Sequence, residues 1–253
     1  MESMRQKFLA VFFLILFIIT LHGAPAQASA PAFSSPSAIL MDAKNGLILA
    51  EKSAYEKRPI ASTTKIMTAI LAMQRKSLDD TATVSPEAAD AGGSELALSP
   101  GEQRTIEELL YGLMLRSAND ASIVLAEEVG ESTSNFVNLM NEEAEKIGAK
   151  KTHFVNPHGL YDPNHYSTAY DLALIARYGL KNPLFAQIVS TKERAISWPG
   201  SPTPVVIENR NKLLRQYPYA IGIKTGYVKE SGYCLVGAAA KNGVQLITVI
   251  LGA

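Results

Sequence analysis

AIGIKTGYVKESGYCLVGAAAKNGVQLITVILG, residues 220–252, decides the fold. It holds three apolar runs, Ala220 to Gly226, Gly232 to Ala240 and Val244 to Gly252. Val228-Lys229-Glu230-Ser231 and Lys241-Asn242-Gly243 separate them. Connections this short leave no room for a crossover, so the strands are predicted to be antiparallel. The last run (Leu246, Ile247, Val249, Ile250, Leu251) is almost continuously apolar, which predicts a strand buried on both faces.

Toward the N-terminus the period changes. Ile66, Ala69, Ile70 and Met73 repeat at helix spacing in a run that begins at Ser62. Thr105-Ile106-Glu107-Glu108 reads as a capping box ahead of the stripe Ile106, Leu109, Leu110, Leu113 and Met114. Further helices are predicted from near Asp120 to Gly130, from about Asn135 to a C-terminal Gly148, and after a cap at Thr168 to Asp171. Before them, Ala38 to Met41 and Leu47 to Ala50 flank Asp42-Ala43-Lys44-Asn45-Gly46, a hairpin pattern. Residues 29–37 read as a flexible Ala/Ser/Pro leader. The order is two strands, several helices, three strands, with no internal repeat.

Three short motifs carry chemistry. Ser62-Thr63-Thr64-Lys65 places a hydroxyl and an amine three residues apart at a helix start, on one face. A serine hydroxyl is a weak nucleophile until a base takes its proton, and a lysine does so only when neutral. Burial and a second cation, such as Lys224, lower a lysine pKa. Ser117-Ala118-Asn119 falls in a tight loop between helices, where a hydroxyl can relay a proton and an amide can grip a carbonyl. Lys224-Thr225-Gly226 ends a predicted strand and offers charge and a hydroxyl to a carboxylate. Its glycine admits a ligand close to the strand edge. Taken singly, each motif also describes a helix cap or a solvated lysine. Together they fall 55 and 107 residues apart, each on a suitable element.

S-x-x-K, S-x-N and K-T-G in this order are the trio of β-lactamases and penicillin-binding proteins. From Ser37 to Gly252 the chain resembles serine-type D-Ala-D-Ala carboxypeptidases, the low-molecular-mass penicillin-binding proteins of peptidase family S11. The spore-former type is the most similar. The likeness runs through Arg58 to Thr68, Met114 to Ala121, Asn156-Pro157-His158-Gly159-Leu160, Asn209-Arg210-Asn211 and Gly222 to Tyr227. It implies an α+β, three-layer β-lactamase/transpeptidase-like fold. Its five-stranded antiparallel sheet would carry helices on both faces beside a helical subdomain.

The resemblance also implies roles. Ser62 would attack and be acylated, Lys65 would act as base, and Ser117 and Asn119 would relay protons and hold substrate. Lys224, Thr225 and Arg210 would bind the terminal carboxylate, with Gly226 at the strand edge. Backbone N–H groups of Ser62 and Tyr227 would form the oxyanion hole. The implied substrate is a peptidoglycan stem peptide ending in D-Ala-D-Ala, with β-lactams as covalent inhibitors and no cofactor. Family members continue into a covering C-terminal helix, often a second domain and a membrane anchor. A chain stopping at Ala253 is then expected to be a catalytic domain, 29–253, truncated before that helix and lacking the anchor.

Other readings stay open at this point. A β-lactamase of the same fold would carry Asp where Ala118 stands and an E-x-x-L-N that is not found; Glu193 is the nearest stray acid and reads as a surface charge. His153, His158 and His165 lack the tight spacing of a metal site, and no G-x-S-x-G is present. His158, in a segment of the resemblance, is expected to shape access to the site. A non-catalytic peptidoglycan-binding fragment is the third alternative.

Composition bounds the rest. The chain has 253 residues, 47% hydrophobic, ample for a sizeable core. Arg5 and Lys7 precede an apolar run from Phe8 to Leu21, and Ala26-Gln27-Ala28 ends it, as in a signal peptide over 1–28. The mature chain is therefore expected outside the cytoplasm, secreted or peripheral to the membrane. Losing Arg5, Lys7 and Glu2 from 24 basic and 24 acidic residues leaves 22 and 23, no excess for nucleic acid. Cys234, the single cysteine, can form no internal disulfide and sits in an apolar run, so it reads as an inert core residue.

Overall fold

The computed structural model describes residues 33–198 and 201–253. The expected signal peptide lies outside the described residues. The hairpin of β1 (Ser37–Asp42) and β2 (Ile48–Lys52) forms as expected, antiparallel, with Asp42 Oδ1 accepting from the Lys44 and Asn45 N–H groups in its turn. The leader ends earlier than expected: Ser35 is already buried, and Ser37 opens β1.

A 3-10 turn, Ala61–Thr64, leads into α1 (Lys65–Arg75). Next come β3 (Thr81–Thr83), α2 (Pro86–Ala89), β4 (Gln103–Thr105) and α3 (Ile106–Tyr111). β3 and β4 form a two-stranded ribbon that the sequence did not announce. Thr105 caps α3, its side chain accepting from Glu108 N–H, while the Glu108 carboxylate also reaches out to Ser197 N–H. α3 runs on into a π-helical turn, Gly112–Arg116, before α4 (Asn119–Gly130) and α5 (Thr133–Ile147). Gly148 ends α5 in the left-handed conformation that the sequence placed there. α6 (Ala169–Gly179) is capped by Thr168, and α7 (Pro183–Ser190) follows. A second ribbon, β5 (Glu193–Ile196) with β6 (Val205–Glu208), and the short α8 (Leu213–Gln216) precede the last strands.

Those strands are β7 (Ala220–Val228), β8 (Gly232–Lys241) and β9 (Val244–Leu251). The five-stranded sheet has the order β2-β1-β9-β8-β7 and is antiparallel throughout. Its register matters more than its order. Ile39 pairs with Val249, Val249 with Val236, and Val236 with Lys224. Side chains alternate faces with period two, so these four share one face, the inner one that α6 and α7 cover. Lys224 is thus the end of a core row and is 2% exposed. The pairing shifts by one residue between Ala220 and Gly222, a bulge just ahead of the motif that sets which face Lys224 takes.

The double-sided burial expected of β9 is only half met. Ile247, Val249 and Leu251 are buried, whereas Leu246, Thr248 and Ile250 face outward and are half-buried. Helices lie on both sheet faces, but unevenly: on the outer face, Leu213 of the one-turn α8 lies against Gly237. Among the described residues no helix is long and apolar enough to cross a membrane.

Candidate active site

Lys65 is fully buried at the start of α1. Its Nζ lies 3.1 Å from Ser62 Oγ, 2.7 Å from Asn119 Oδ1 and 2.6 Å from the His158 carbonyl oxygen. As an ammonium it donates to all three. As a neutral amine it has two N–H bonds and one lone pair, and the geometry decides where each goes. Asn119 Oδ1 and His158 O can only accept, so they take the two N–H bonds. The lone pair is left facing Ser62 Oγ, whose O–H can donate to it.

Burial and neighbouring cations both shift Lys65 toward the neutral form. Burial pushes the Lys65 pKa well below the ordinary lysine value, and the nearby charges of Lys224 and then Arg210 push the same way, against the opposing carboxylate of Asp120. Lys224 is itself lowered to about 7, by burial first and Arg210 second. Its Nζ donates to the Thr225 carbonyl at 2.9 Å.

Backbone strain gathers at both serine motifs. Ala61, just before Ser62, has φ +46°, and Ser117 has φ +65° directly after the π turn. Left-handed non-glycine residues and π turns are uncommon and concentrate at functional sites. Here they let the chain leave one helix, present Ser117, and enter α4 at Asn119.

A cavity of about 710 Å³ is lined by Ser62, Ser117, Arg210, Thr225, Gly226 and Tyr227. Lys65, Asn119 and Lys224 lie buried behind it. β7 is one of the two edge strands, and a Cβ on Gly226 would stand 2.8 Å from Ser62 N. The two expected oxyanion donors, the Ser62 and Tyr227 N–H groups, therefore come from adjoining backbone. Gly226 is small first because β7 packs on the Ser62 turn. The expected use, room for a ligand, comes second.

Other side chains have partners that the sequence did not show. Asn119 was expected to reach substrate, yet its Oδ1 takes Lys65 and its Nδ2 donates to Gly92 O at 2.7 Å, leaving one N–H for anything else. His158 contributes its carbonyl. Its ring Nδ1 accepts from Leu160 N–H, and burial, with the nearby Lys65 charge second, lowers its pKa to about 3. His165 Nδ1 accepts from Val155 N–H, so Nε2 carries the proton toward Thr64 Oγ1, which in turn donates to Ala61 O. Among the described residues no three potential metal ligands converge. Glu193 is exposed on β5. Cys234 is buried, its thiol pKa raised by that burial.

Sequence reasoning missed the segment of residues 92–98. Asp120, 1% exposed, accepts from the Leu96 and Leu98 N–H groups and holds this loop down. Ser94 O accepts from Asn119 N–H at 2.6 Å, and Ser94 Oγ accepts from Arg210 Nη1 at 2.5 Å. An acid next to the S-x-N motif was the available signal, but nothing in sequence ties it to a loop more than twenty positions upstream.

A family model described as D-alanyl-D-alanine carboxypeptidase matches residues 24–253. The chain is 37% identical over 232 residues to D-alanyl-D-alanine carboxypeptidase DacF of Bacillus subtilis, covering 90% of this chain and 59% of that protein. It is 37% identical over 253 residues to DacC of Escherichia coli, covering 95% and 62%. The chain thus spans about three fifths of these relatives' length. Among solved structures, a D-alanyl-D-alanine carboxypeptidase from Mycobacterium tuberculosis superposes with TM-score 0.85 at 34% identity, covering 90% of this chain and 86% of the other. A Streptomyces DD-transpeptidase, solved as a point mutant, gives TM-score 0.83 at 34% identity, covering 88% and 92%. With the family model spanning nine tenths of its length, the chain belongs to the S11 peptidases, the D-alanyl-D-alanine carboxypeptidase family.

Proposed function

We propose that this chain is a serine-type D-Ala-D-Ala carboxypeptidase that removes the terminal D-alanine from peptidoglycan pentapeptides. The observation that carries the reading is the Ser62–Lys65 pair, 3.1 Å apart, with two fixed acceptors directing the amine lone pair at the hydroxyl.

The reaction follows from that geometry. The substrate's terminal carboxylate binds Lys224, Thr225 and Arg210, and its peptide backbone lies along the edge of β7. Lys65 takes the Ser62 proton as Oγ attacks the carbonyl carbon of the penultimate D-alanine. The Ser62 and Tyr227 N–H groups receive the developing oxyanion, a contribution typically worth a few kcal/mol. The C–N bond then breaks. The leaving nitrogen takes a proton relayed from Lys65 through Ser117, and D-alanine departs. Water, deprotonated by the same base, attacks the acyl-Ser62 ester, releasing the shortened peptide and restoring Ser62. A β-lactam ring would acylate Ser62 in the same way, with nothing to leave.

Residues 1–28 act in this reading as an export signal and 29–253 as the catalytic domain, working at the cell envelope outside the cytoplasm. The test is D-alanine release from a peptide ending in D-Ala-D-Ala, with a fluorescent penicillin followed by intact mass. We expect release and a single covalent adduct, both lost in Ser62→Ala. An adduct that survives Ser62→Ala overturns the mechanism, and rapid penicillin turnover without D-alanine release would make the chain a β-lactamase.

A further inference from the structure

Two helices grip two consecutive carbonyl groups beside the base. Lys65 and Thr68 stand one turn apart on α1, and Asn119 and Ser122 one turn apart on α4. Thr68 Oγ1 and Ser122 Oγ both donate to the Pro157 carbonyl oxygen, each at 2.6 Å. The next carbonyl, His158 O, accepts from Lys65 Nζ, which also donates to Asn119 Oδ1. One turn of each helix therefore serves the base, and the next turn serves the peptide group that orients it.

Pro157 O has two lone pairs, and both are used. Thr68 and Ser122 are fully buried, so neither hydroxyl can exchange its bond for one to water. From the other side, Asn156 Oδ1 accepts from the His158 and Gly159 N–H groups, closing a turn around the same peptide. The segment is fixed at both ends, but only the Pro157 bonds come from the helices that carry Lys65 and Asn119.

We propose that Thr68 and Ser122 are positioning residues for the Ser62–Lys65 pair: by fixing the Pro157 carbonyl they aim the His158 carbonyl, and through it the Lys65 amine. Neither touches a reacting atom. The inference rests on reading Lys65 as the base.

Losing either hydroxyl frees the peptide between Pro157 and His158 to tilt. Lys65 Nζ then loses an acceptor and its lone pair loses its direction. Acylation slows. The ammonium form also loses a carbonyl partner, so its proton leaves more easily and the acid limb of the pH profile moves down. Loosened packing that let water in would instead return Lys65 toward an ordinary lysine and move the limb up. The charged groups facing Lys65 are Lys224 on β7, Arg210 after β6 and Asp120 on α4, with the His158 and His165 rings beside it. None is altered by a change at Thr68 or Ser122.

The experiment uses the full chain with Thr68→Val, Thr68→Ser and Ser122→Ala. It follows acylation by a penicillin against pH, and the Lys65 titration by NMR of protein labelled at lysine Cε, assigned with Lys65→Arg. Expected are acylation slowed about tenfold or more in Thr68→Val and Ser122→Ala, a Lys65 titration moved to lower pH, and near-parental behaviour in Thr68→Ser. A Lys65 titration unmoved or moved upward in Thr68→Val and Ser122→Ala overturns the proposal. So does a Thr68→Ser variant as impaired as Thr68→Val. If Thr68→Val does not fold, Ser122→Ala decides alone. A parent chain that takes no adduct would refute the role of Ser62, while the NMR titration would still decide the positioning.

Discussion

Gly159 lies so close to Ala61 that a methyl group on it would overlap the Ala61 carbonyl group. Both residues have positive φ, +88° at Gly159 and +46° at Ala61, and Ala61 immediately precedes Ser62, the proposed nucleophile. The strained turn that presents Ser62 is thus braced by a residue far along the chain. Gly159→Ala introduces an overlap with backbone and an unfavourable φ together. We expect a loss of about 3 kcal/mol or more, a fall in Tm of roughly 6 °C or greater, and acylation lost along with it. Thermal denaturation at parental temperature would refute the bracing.

Lys224 makes stability depend on pH in a definite direction. Unfolded, a lysine holds its proton to about pH 10.4; folded, Lys224 holds it only to about 7. Between these values the unfolded chain binds more protons, so this group's contribution to stability improves as pH rises. Lys224→Met removes the effect. The variant is expected to be more stable than its parent near pH 6, with the advantage shrinking toward pH 10, as measured by denaturant midpoints across that range. It also removes a cation beside Lys65, so the acid limb of penicillin acylation is expected to move to higher pH.

Asp120→Asn tests the loop behind the site. The carboxylate accepts from the Leu96, Leu98 and Ala121 N–H groups, and an amide would turn a donor toward one of them. A loss of about 1–3 kcal/mol is expected in thermal or chemical denaturation. Because the loop also bonds Asn119 and Arg210 through Ser94, KM for the D-Ala-D-Ala peptide is expected to rise. A variant with parental Tm and KM would show that the loop needs no anchor.

Gly226→Ala tests the approach of β7 to the Ser62 turn. The added Cβ would sit 2.8 Å from Ser62 N and 3.0 Å from the Ala61 Cβ. The strand edge must move away, separating the two proposed oxyanion donors. Losing one such donor costs about 10²- to 10³-fold in rate, and penicillin acylation is expected to fall by that order, by far more than binding. Acylation within a few fold of the parent would mean that the Ser62 N–H group is not a donor in the reaction.

The elements that set their own local pattern were legible. The hairpins around Gly46 and Gly243 and the helix caps at Thr105, Thr168 and Gly148 appear where residue type and spacing put them. So was the cationic influence of Lys224 on Lys65, since a positive charge beside a lysine lowers its pKa. The π turn before Ser117, the ribbons β3–β4 and β5–β6, and the outward half of β9 were not, because each depends on what packs against it. The two partners of Asn119 were not legible for the same reason: side-chain amides look alike in sequence, and only the fold brings Lys65 and Gly92 to this one.

The three partners of the Lys65 amine come from Ser62, Asn119 and His158, stretches that meet only when the chain is folded. In the unfolded chain Lys65 is an ordinary ammonium and Ser62 an ordinary alcohol. Reactivity is therefore a property of the completed fold. On the proposed mechanism the chain carries no activated nucleophile before it folds, and a covalent penicillin adduct would report native molecules alone, which would make such labelling a direct count of correctly folded chains.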